Sequence, residues 1–473
     1  LKLTYHTGFL AMINIPSWMF LSTFEKFRNK IINENTFYSL LHLGRGIFGS
    51  DFGTVSFVFR KPYIHKYNAV YIRFIDKQGE VDSIDEKEKK FFERDRKFIV
   101  TQNEFTTIPT SPIAYWVPEK VRSIFRKNLK LSDIANLAVG LFTCDNNRFL
   151  RLWYEVSINK TSFNIESILE AQSLGAKWYP YNKGGTFRKW YGNQEYVVDF
   201  ENDGKEIREL RRQKGQSYSL PGYQYYFKPG ITWSFVSSSY FGVRYSPKGF
   251  LFDVSGSSIF PLEKDIKVLT GFLSSKPAHY FLSSMNPTLN FQVGNVANLP
   301  IIEWEGEKCK IEKIVEMSIA ISKNEWDSFE TSWNFKQHPF LTYRGEAKTL
   351  EECYTNWADH AEKQFRQLQK NEEELNRIFI ELYGLQDELT PEVPDEEITV
   401  RRADRVRDAK SFLSYCIGLM MGRYSLDVEG LAYAGGEWDA SKYKTFQPDK
   451  DGIIPLTETA YFEDDVITRL QEL

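Results

Sequence analysis

The sequence predicts three kinds of structure in succession: the end of an open α/β sheet, an α+β region, and a mostly α-helical region. Residues 1–62 alternate apolar strand patterns with one helix pattern. Residues 131–305 are rich in Gly, Ser, Thr and aromatic side chains and carry few helix signals. From residue 306 onward, long stretches repeat apolar residues at helical spacing. Residues 63–130 are predicted to be a linker or excursion.

The composition limits the class of protein. The 473 residues suffice for two to four domains, and the net charge of −3 means that a nucleic-acid site must be a local basic patch. Neither the scattered cysteines nor the histidines have metal-site spacing, and such cysteines fit a reducing cytoplasm. No apolar run is long enough to span a membrane. Because the chain enters an apolar strand almost at once, we expect it to be a fragment of a larger protein. The cysteines are Cys144, Cys309, Cys353 and Cys416.

The first elements are predicted to be strand, helix, strand, turn and strand. Residues 8–15 form a nearly continuous apolar run, which is typical of a buried parallel strand. Ser22 and Glu25 have the spacing of a capping box before a helix. Residues 37–43 and 54–59 are predicted to be strands.

A glycine motif lies between these last two strands. Gly44, Gly46 and Gly49 fit the spacing Gly-x-Gly-x-x-Gly. A nucleotide or cofactor loop of this kind needs a helix after it, so that the helix N-terminus faces the phosphate. Because a strand follows here, we interpret the motif as a hairpin connection and keep a nucleotide-binding enzyme only as a competing hypothesis.

The remaining regions are assigned from their periodicity. Residues 77–96 are dense in charge and are predicted to be solvated. Three stretches of the second region are predicted to be strands, and several stretches of the chain are predicted to be helices, with Gly384 and Gly422 ending two of them. The predicted strands are 225–227, 231–236 and 249–253; the predicted helices are 204–213, 264–273, 311–322, 349–383 and 403–421.

A basic and aromatic segment, residues 177–193 (KWYPYNKGGTFRKWYGN), is the main candidate for nucleic-acid binding. Cations suit phosphates, aromatic rings suit bases or sugars, and Asn pairs with base edges. Gly184 and Gly185 permit positive φ or a close approach. The alternative is a hairpin with core aromatics and solvated cations. The candidate contacts are Lys183, Gly184, Gly185, Arg188, Lys189, Trp190, Tyr191 and Asn193.

A second candidate is the loop that contains Thr143, Asn146, Asn147 and Arg148, for which a polar turn held by Asx hydrogen bonds is an equally good interpretation. Other groups are weaker candidates. Arg244 and Lys248 flank an aromatic strand, the cations of 363–370 are read as a solvated face, and His42 and His279 as structural histidines.

Taken together, stretches along nearly the whole chain resemble adenine-specific DNA methyltransferases of the kind found in BREX phage-defence systems (PglX-like), and more loosely the methyltransferase–specificity fusions of type IIG restriction. They occur in the expected order. The stretches are 12–20 (MINIPSWMF), 42–44 (HLG), 52–58 (FGTVSFV), 140–149 (GLFTCDNNRF), 183–185 (KGG), 188–193 (RKWYGN), 286–291 (NPTLNF), 371–376 (NEEELN), 383–385 (YGL) and 422–427 (GRYSLD).

The resemblance implies that the intact protein binds S-adenosylmethionine, flips an adenine out of double-stranded DNA and methylates its N6 amine. The family's catalytic tetrapeptide, Asn-Pro-Pro-Tyr, is absent; residues 286–289 begin alike but lack the second Pro and the aromatic. No cofactor loop occurs either. The resemblance therefore implies that 1–62 end a Rossmann-like methyltransferase sheet, that 131–305 are the target-recognition domain, and that 306–473 are a helical C-terminal domain. We expect no catalytic residue, cofactor or metal in this chain and no activity from it alone.

The remaining expectations concern partners and an alternative function. Double-stranded DNA is the expected ligand, other defence-system proteins are additional candidates, and no membrane partner is expected. The alternative function is a non-catalytic specificity or scaffold module that recruits a separate methyltransferase or nuclease. An upstream Asn-Pro-Pro-aromatic motif in the intact gene would favour the methyltransferase.

Overall fold

A computed structural model describes residues 4–48, 52–76, 80–235, 240–287, 290–459 and 461–473. Contacts divide the chain into two units. The first unit contains the residues up to Ile134, Lys276–Trp304 and Leu382–Leu385, and the second contains Ala135–Ser275, Glu305–Glu381 and Gln386–Leu473. The four domain ranges predicted from the sequence stay a prediction.

The chain is a mixed α/β protein with several sheets and many helices. The strands are β1 (Phe9–Asn14), β2 (Thr36–Gly44), β3 (Thr54–Arg60), β4 (Asn68–Arg73), β5 (Lys97–Thr101), β6 (Leu129–Lys130), β7 (Ala135–Ala138), β8 (Leu150–Leu152), β9 (Trp178–Asn182), β10 (Tyr196–Asp199), β11 (Gly230–Trp233), β12 (Val243–Ser246), β13 (Leu251–Phe252), β14 (Ser258–Pro261) and β15 (Pro300–Ile301). The helices are α1 (Ser17–Phe20), α2 (Glu25–Glu34), α3 (Ile84–Phe92), α4 (Glu119–Lys127), α5 (Leu131–Ile134), α6 (Asn146–Phe149), α7 (Ile168–Leu174), α8 (Glu201–Gln213), α9 (Ile266–Leu273), α10 (Lys276–Met285), α11 (Val293–Ala297), α12 (Lys308–Asp327), α13 (Pro339–Thr342), α14 (Leu350–Tyr383), α15 (Arg405–Met420) and α16 (Val466–Glu472). Among the described residues, no helix is long and apolar enough to cross a membrane.

The first unit is built on a five-stranded sheet of order β1-β3-β2-β4-β5. Strand β3 runs antiparallel to both β1 and β2, and β4 runs parallel to β2. Aromatic packing holds this sheet, because Trp18 contacts Phe37, Phe57 and Phe59 in one buried cluster. The predicted strands at 37–43 and 54–59 are confirmed, as is the hairpin that joins them. Gly49 of the glycine motif lies outside the described residues.

Two predictions for this unit are wrong in part. Strand β1 forms, but it is antiparallel to its neighbour and lies at the sheet edge, with Phe9, Met12 and Ile13 about half exposed. An apolar run indicates that a strand forms but does not show whether one strand or two pair with it. Ser22 does not cap α2: the helix begins at Glu25 without a side-chain cap.

The charged stretch at 77–96 is not simply a solvated linker. Residues 77–79 lie outside the described residues, but α3 forms beyond them. Its capping box joins Ser83 and Glu86 through reciprocal hydrogen bonds. The buried Lys87 contacts Asp82, so part of the charge is paired inside the unit.

The second unit contains two four-stranded sheets, of order β13-β9-β10-β8 and β12-β11-β14-β7. In the first, β13 and β9 are parallel and the other pairs antiparallel; the second is antiparallel throughout. The predicted strands at 231–236 and 249–253 are confirmed in part as β11 and β13, since β11 ends at Trp233 and β13 contains only Leu251 and Phe252. Val236 lies outside the described residues. The strand predicted at 225–227 is wrong, since Tyr223–Tyr225 form a short 3-10 helix and Phe227 has a φ of 67°.

The helical predictions hold in this unit. Helices α8, α9, α12, α14 and α15 occur where helices were predicted, and α14 is continuous over 34 residues. Its apolar face is buried at Leu368, Leu375 and Phe379. Gly384 and Gly422 follow the ends of α14 and α15 with φ of 65° and 72°, as expected of helix-terminating glycines.

Candidate nucleic-acid interface

The basic and aromatic segment at 177–193 begins as a strand and continues as a loop. Strand β9 pairs with β10 through Trp178–Asn182. Gly184 and Gly185 then have φ of 87° and 124°, which confirms the predicted positive φ. A Cβ on Gly184 would lie 2.6 Å from the Ser255 carbonyl oxygen, so the two backbones approach too closely for a larger residue.

Arg188 lies in the interior of the second unit. Its Nε donates to the Tyr191 carbonyl oxygen at 2.8 Å, and its guanidinium lies 5.0 Å from the centre of the Trp326 ring. The guanidinium also pairs with Glu325 of α12, which contacts Arg401 as well. One buried carboxylate is therefore shared by two arginines.

Lys189 and Trp190 converge on a second buried carboxylate. The Lys189 ammonium pairs with Glu372 of α14, and the Trp190 indole N–H donates to the other Glu372 oxygen at 2.7 Å. The Lys189 and Glu372 side chains are only 5% and 3% exposed. Burial raises the pKa of Glu372, while the Lys189 charge and the two hydrogen bonds oppose that rise.

The interior position extends to neighbouring groups. Trp190 has a φ of 71°, and its backbone forms an isolated β-bridge with that of Arg244. Burial and the nearby Arg188 charge lower the pKa of Arg244 to about 10. Tyr191 is also buried, and burial raises its pKa. The alternative interpretation placed the aromatic side chains in the core, as found for Trp190 and Tyr191, but it expected solvated cations, whereas Arg188 and Lys189 are buried. The DNA contacts predicted for Arg188, Lys189, Trp190 and Tyr191 stay untested, but here their polar groups are engaged by protein.

The remaining predicted residues of this segment are closer to solvent. Lys183 is partly exposed and pairs with Asp253. Asn193 has a φ of 56°, and its amide donates to the Thr186 carbonyl oxygen at 2.9 Å. Gly185 is exposed. These three residues do not join the buried carboxylate pairs.

The second predicted loop forms an exposed turn ahead of α6. Asp145 caps the helix by accepting from the Arg148 N–H at 3.1 Å. The buried Thr143 hydroxyl donates to Asn146 Oδ1 at 2.7 Å, so the turn is held by the hydrogen bonds of the alternative interpretation. Asn146, Asn147 and Arg148 are nevertheless exposed. The turn thus presents two amides and one guanidinium to solvent.

Sequence reasoning missed the segment beside this turn. Residues 211–219, which we call the basic loop, comprise the last residues of α8 and the loop that follows it. Lys214 Nζ donates to the Cys144 carbonyl oxygen at 2.8 Å. The sequence did carry a signal: there is no Asp or Glu between Glu209 and Asp253. The two segments therefore form one exposed polar surface on the second unit.

Other chemistry is not supported by the described residues. They contain no group of three or more His, Cys, Asp or Glu side chains that could hold a metal ion. His42 is buried and His279 is partly buried, and desolvation lowers the pKa of each to about 4, as expected for structural histidines. Gly44 and Gly46 lie between the antiparallel strands β2 and β3, so the element that follows the motif is a strand, whereas a nucleotide or cofactor loop of this kind is followed by a helix.

Sequence comparison finds two similar adenine-specific methyltransferases. No protein-family model matches it. It is 40% identical to the adenine-specific methyltransferase PglX of Lacticaseibacillus casei (strain Zhang), over 99% of this chain and 40% of that protein. It is 36% identical to the adenine-specific methyltransferase BrxX of Escherichia coli O9:H4 (strain HS), over 100% of this chain and 39% of that protein. The resemblance to this family is therefore confirmed, and the chain spans about two fifths of the length of these relatives.

Similarity to solved structures is weaker. The type IIL restriction-modification enzyme MmeI, solved in complex with DNA, aligns with a TM-score of 0.47 at 11% identity. The alignment covers 86% of this chain and 49% of that one.

Proposed function

We propose that this chain is the DNA-recognition and C-terminal portion of a site-specific adenine-N6 DNA methyltransferase of a bacterial phage-defence or restriction-modification system. The observation that carries the proposal is the 40% identity to PglX along 99% of the chain. Identity at that level over the whole chain supports a shared fold and a shared place in the parent protein.

The proposal assigns different parts of the reaction to different parts of the intact protein. The adenine N6 amine is stacked and paired in a duplex, so the enzyme must extrude the base before transfer. S-adenosylmethionine supplies the methyl group when bound. Because this chain carries neither the catalytic tetrapeptide nor a fitting cofactor loop, it contributes recognition of DNA and does not methylate by itself.

The predicted domain layout belongs to this proposal. Residues 1–62 would end the Rossmann-like sheet and 63–130 would link it onward, while 131–305 would recognise DNA and 306–473 would be the C-terminal helical domain. Within the second unit, the exposed turn at 143–148 is better placed to meet DNA than the interior Arg188 and Lys189. We assign Arg188 and Lys189 a structural role in holding the recognition region against α12 and α14.

The test measures methylation and binding separately. The intact protein that contains this chain is incubated with S-adenosylmethionine and adenine-containing duplexes, and N6-methyladenine is counted by mass spectrometry. N6-methyladenine at one sequence motif would support the proposal, with the 473-residue chain alone as the inactive control. DNA binding without methylation would favour the non-catalytic specificity module instead, and neither binding nor methylation from a folded protein would overturn both.

A further inference from the structure

The basic loop is an unusual stretch of the second unit in both charge and exposure. Residues 211–219 read Arg-Arg-Gln-Lys-Gly-Gln-Ser-Tyr-Ser and contain three cations and no acid. Every residue from Arg212 to Ser219 is exposed, whereas Arg211 is buried. An exposed acid-free stretch of this kind is the local charge pattern expected of a polyanion-binding site.

Hydrogen bonds to α8 and from the buried Arg211 fix the conformation of the basic loop. The backbone N–H groups of Lys214, Gly215 and Gln216 donate to carbonyl oxygens in the last turn of α8 at 2.9–3.0 Å. The buried Arg211 donates to the Ser217 carbonyl oxygen at 3.1 Å and to the Phe142 carbonyl oxygen at 2.9 Å. The loop is therefore held in one shape and tied to the exposed turn, so binding there would order little additional chain.

The exposed side chains of this surface include both cations and amides. The Arg212 side chain is 69% exposed and pairs with Glu209 of its own helix at 3.0 Å. Lys214 lies beside it on the same loop. Gln216 and Asn147 add exposed amides, one from each segment. The helix C-terminus carries partial negative charge, but the cations outweigh it.

The surface has a boundary on its other side. A shallow groove of about 420 Å³ beside the turn is lined by three acids, Glu201, Glu206 and Glu209, and by two cations, Arg148 and Lys205. Because the acids outnumber the cations and carboxylates repel phosphates, the groove is a less favourable path for a bound polyanion than the basic loop and the turn.

We propose that the basic loop and the turn at 143–148 form a contact surface for duplex DNA, with Arg212 and Lys214 on phosphates and Gln216 and Asn147 on base edges. This inference rests on the proposed function and locates its DNA site. Arginine and lysine neutralise phosphates, and the amides of Gln and Asn can pair bidentately with adenine in the major groove.

The first test removes the two phosphate-binding charges from the intact protein. Binding of a labelled duplex is followed by fluorescence anisotropy over a salt series for the wild type, Arg212→Gln/Lys214→Gln and the control Lys348→Gln/Lys410→Gln. The control removes the same charge from exposed positions elsewhere. We expect the slope of log affinity against log salt to fall by about 0.9 for each lost phosphate contact in the loop variant, but not in the control.

The second test concerns base reading. Gln216→Ala/Asn147→Ala should keep the salt slope but lose discrimination at one or two positions of the selected site, by roughly fivefold to 100-fold. A wild type that binds no duplex would overturn the proposed function together with this inference. A wild type that binds, with loop variants indistinguishable from the wild type, would overturn this inference alone.

Discussion

The buried pair between Lys189 and Glu372 offers a sharp test of the interior network. Replacing Lys189 with Met removes the ammonium and leaves the Glu372 carboxylate with the hydrogen bond from the Trp190 indole. Both side chains are at least 95% buried. An unpaired charge in such a position is unfavourable, so the variant should be less stable.

The size of the loss follows from protonation. Without Lys189, Glu372 can escape its penalty by taking up a proton, so the cost is limited by the gap between its ordinary pKa of 4.5 and the solution pH. At pH 7 this limit is about 3.4 kcal/mol. Because burial raises the folded pKa of this acid, the penalty exists above pH 4.5 and shrinks by about 1.4 kcal/mol for each pH unit toward it.

Hydrogen exchange measures this loss locally. The backbone N–H of Trp190 donates to the Val243 carbonyl oxygen, and the backbone N–H of Tyr245 donates to the Trp190 carbonyl oxygen, both at 2.8 Å. Protection of these two amides from exchange therefore reports opening of the segment. The control Lys189→Met/Glu372→Gln removes both charges, keeps an acceptor for the indole, and should regain most of the stability. A loss that does not change between pH 5.5 and 7.5, or a double variant as unstable as the single one, would refute the reasoning.

Three other predictions concern single residues. Burial lowers the pKa of His338 to about 4, so the contribution of its neutral ring to stability is complete above pH 6.5 and falls by about 2 kcal/mol at pH 5. The variant His338→Asn should therefore show a weaker pH dependence of thermal unfolding, and an unchanged dependence would contradict this. A Cβ on Gly140 would lie 1.9 Å from the Phe252 carbonyl oxygen, so Gly140→Ala should lower the free energy of unfolding by at least about 3 kcal/mol in denaturant titrations, and a change under 0.5 kcal/mol would count against it. Arg148 and Glu206 form an exposed pair at 2.7 Å, so Arg148→Ala should alter stability by less than about 0.5 kcal/mol while weakening DNA binding; equal binding by the variant would remove Arg148 from the interface.

Local sequence patterns predicted much of the secondary structure. The apolar spacing of 349–383 predicted α14 because each turn of a helix returns the same face to the core. The strand pattern at 54–59 predicted β3 and its hairpin with β2 for a similar reason. The prediction that β1 is a buried parallel strand was wrong because an apolar run does not show whether a strand has one neighbouring strand or two.

The candidate site shows a different limit. Arg188 and Lys189 look like surface cations in the sequence, but their partners Glu325 and Glu372 lie 137 and 183 residues away. No local window contains both charges of either pair. The basic loop could have been predicted, because the absence of acids between Glu209 and Asp253 is visible in the sequence alone.

The edge position of β1 has a practical consequence for the isolated chain. Among the described residues, its outer side has no paired strand, and Phe9, Met12 and Ile13 are about half exposed. Such an edge is a template for intermolecular strand pairing, and it lacks the charges and prolines that usually discourage aggregation. The substitution Ile13→Lys should therefore improve the solubility of the purified chain without disturbing the proposed DNA-contact surface of the second unit.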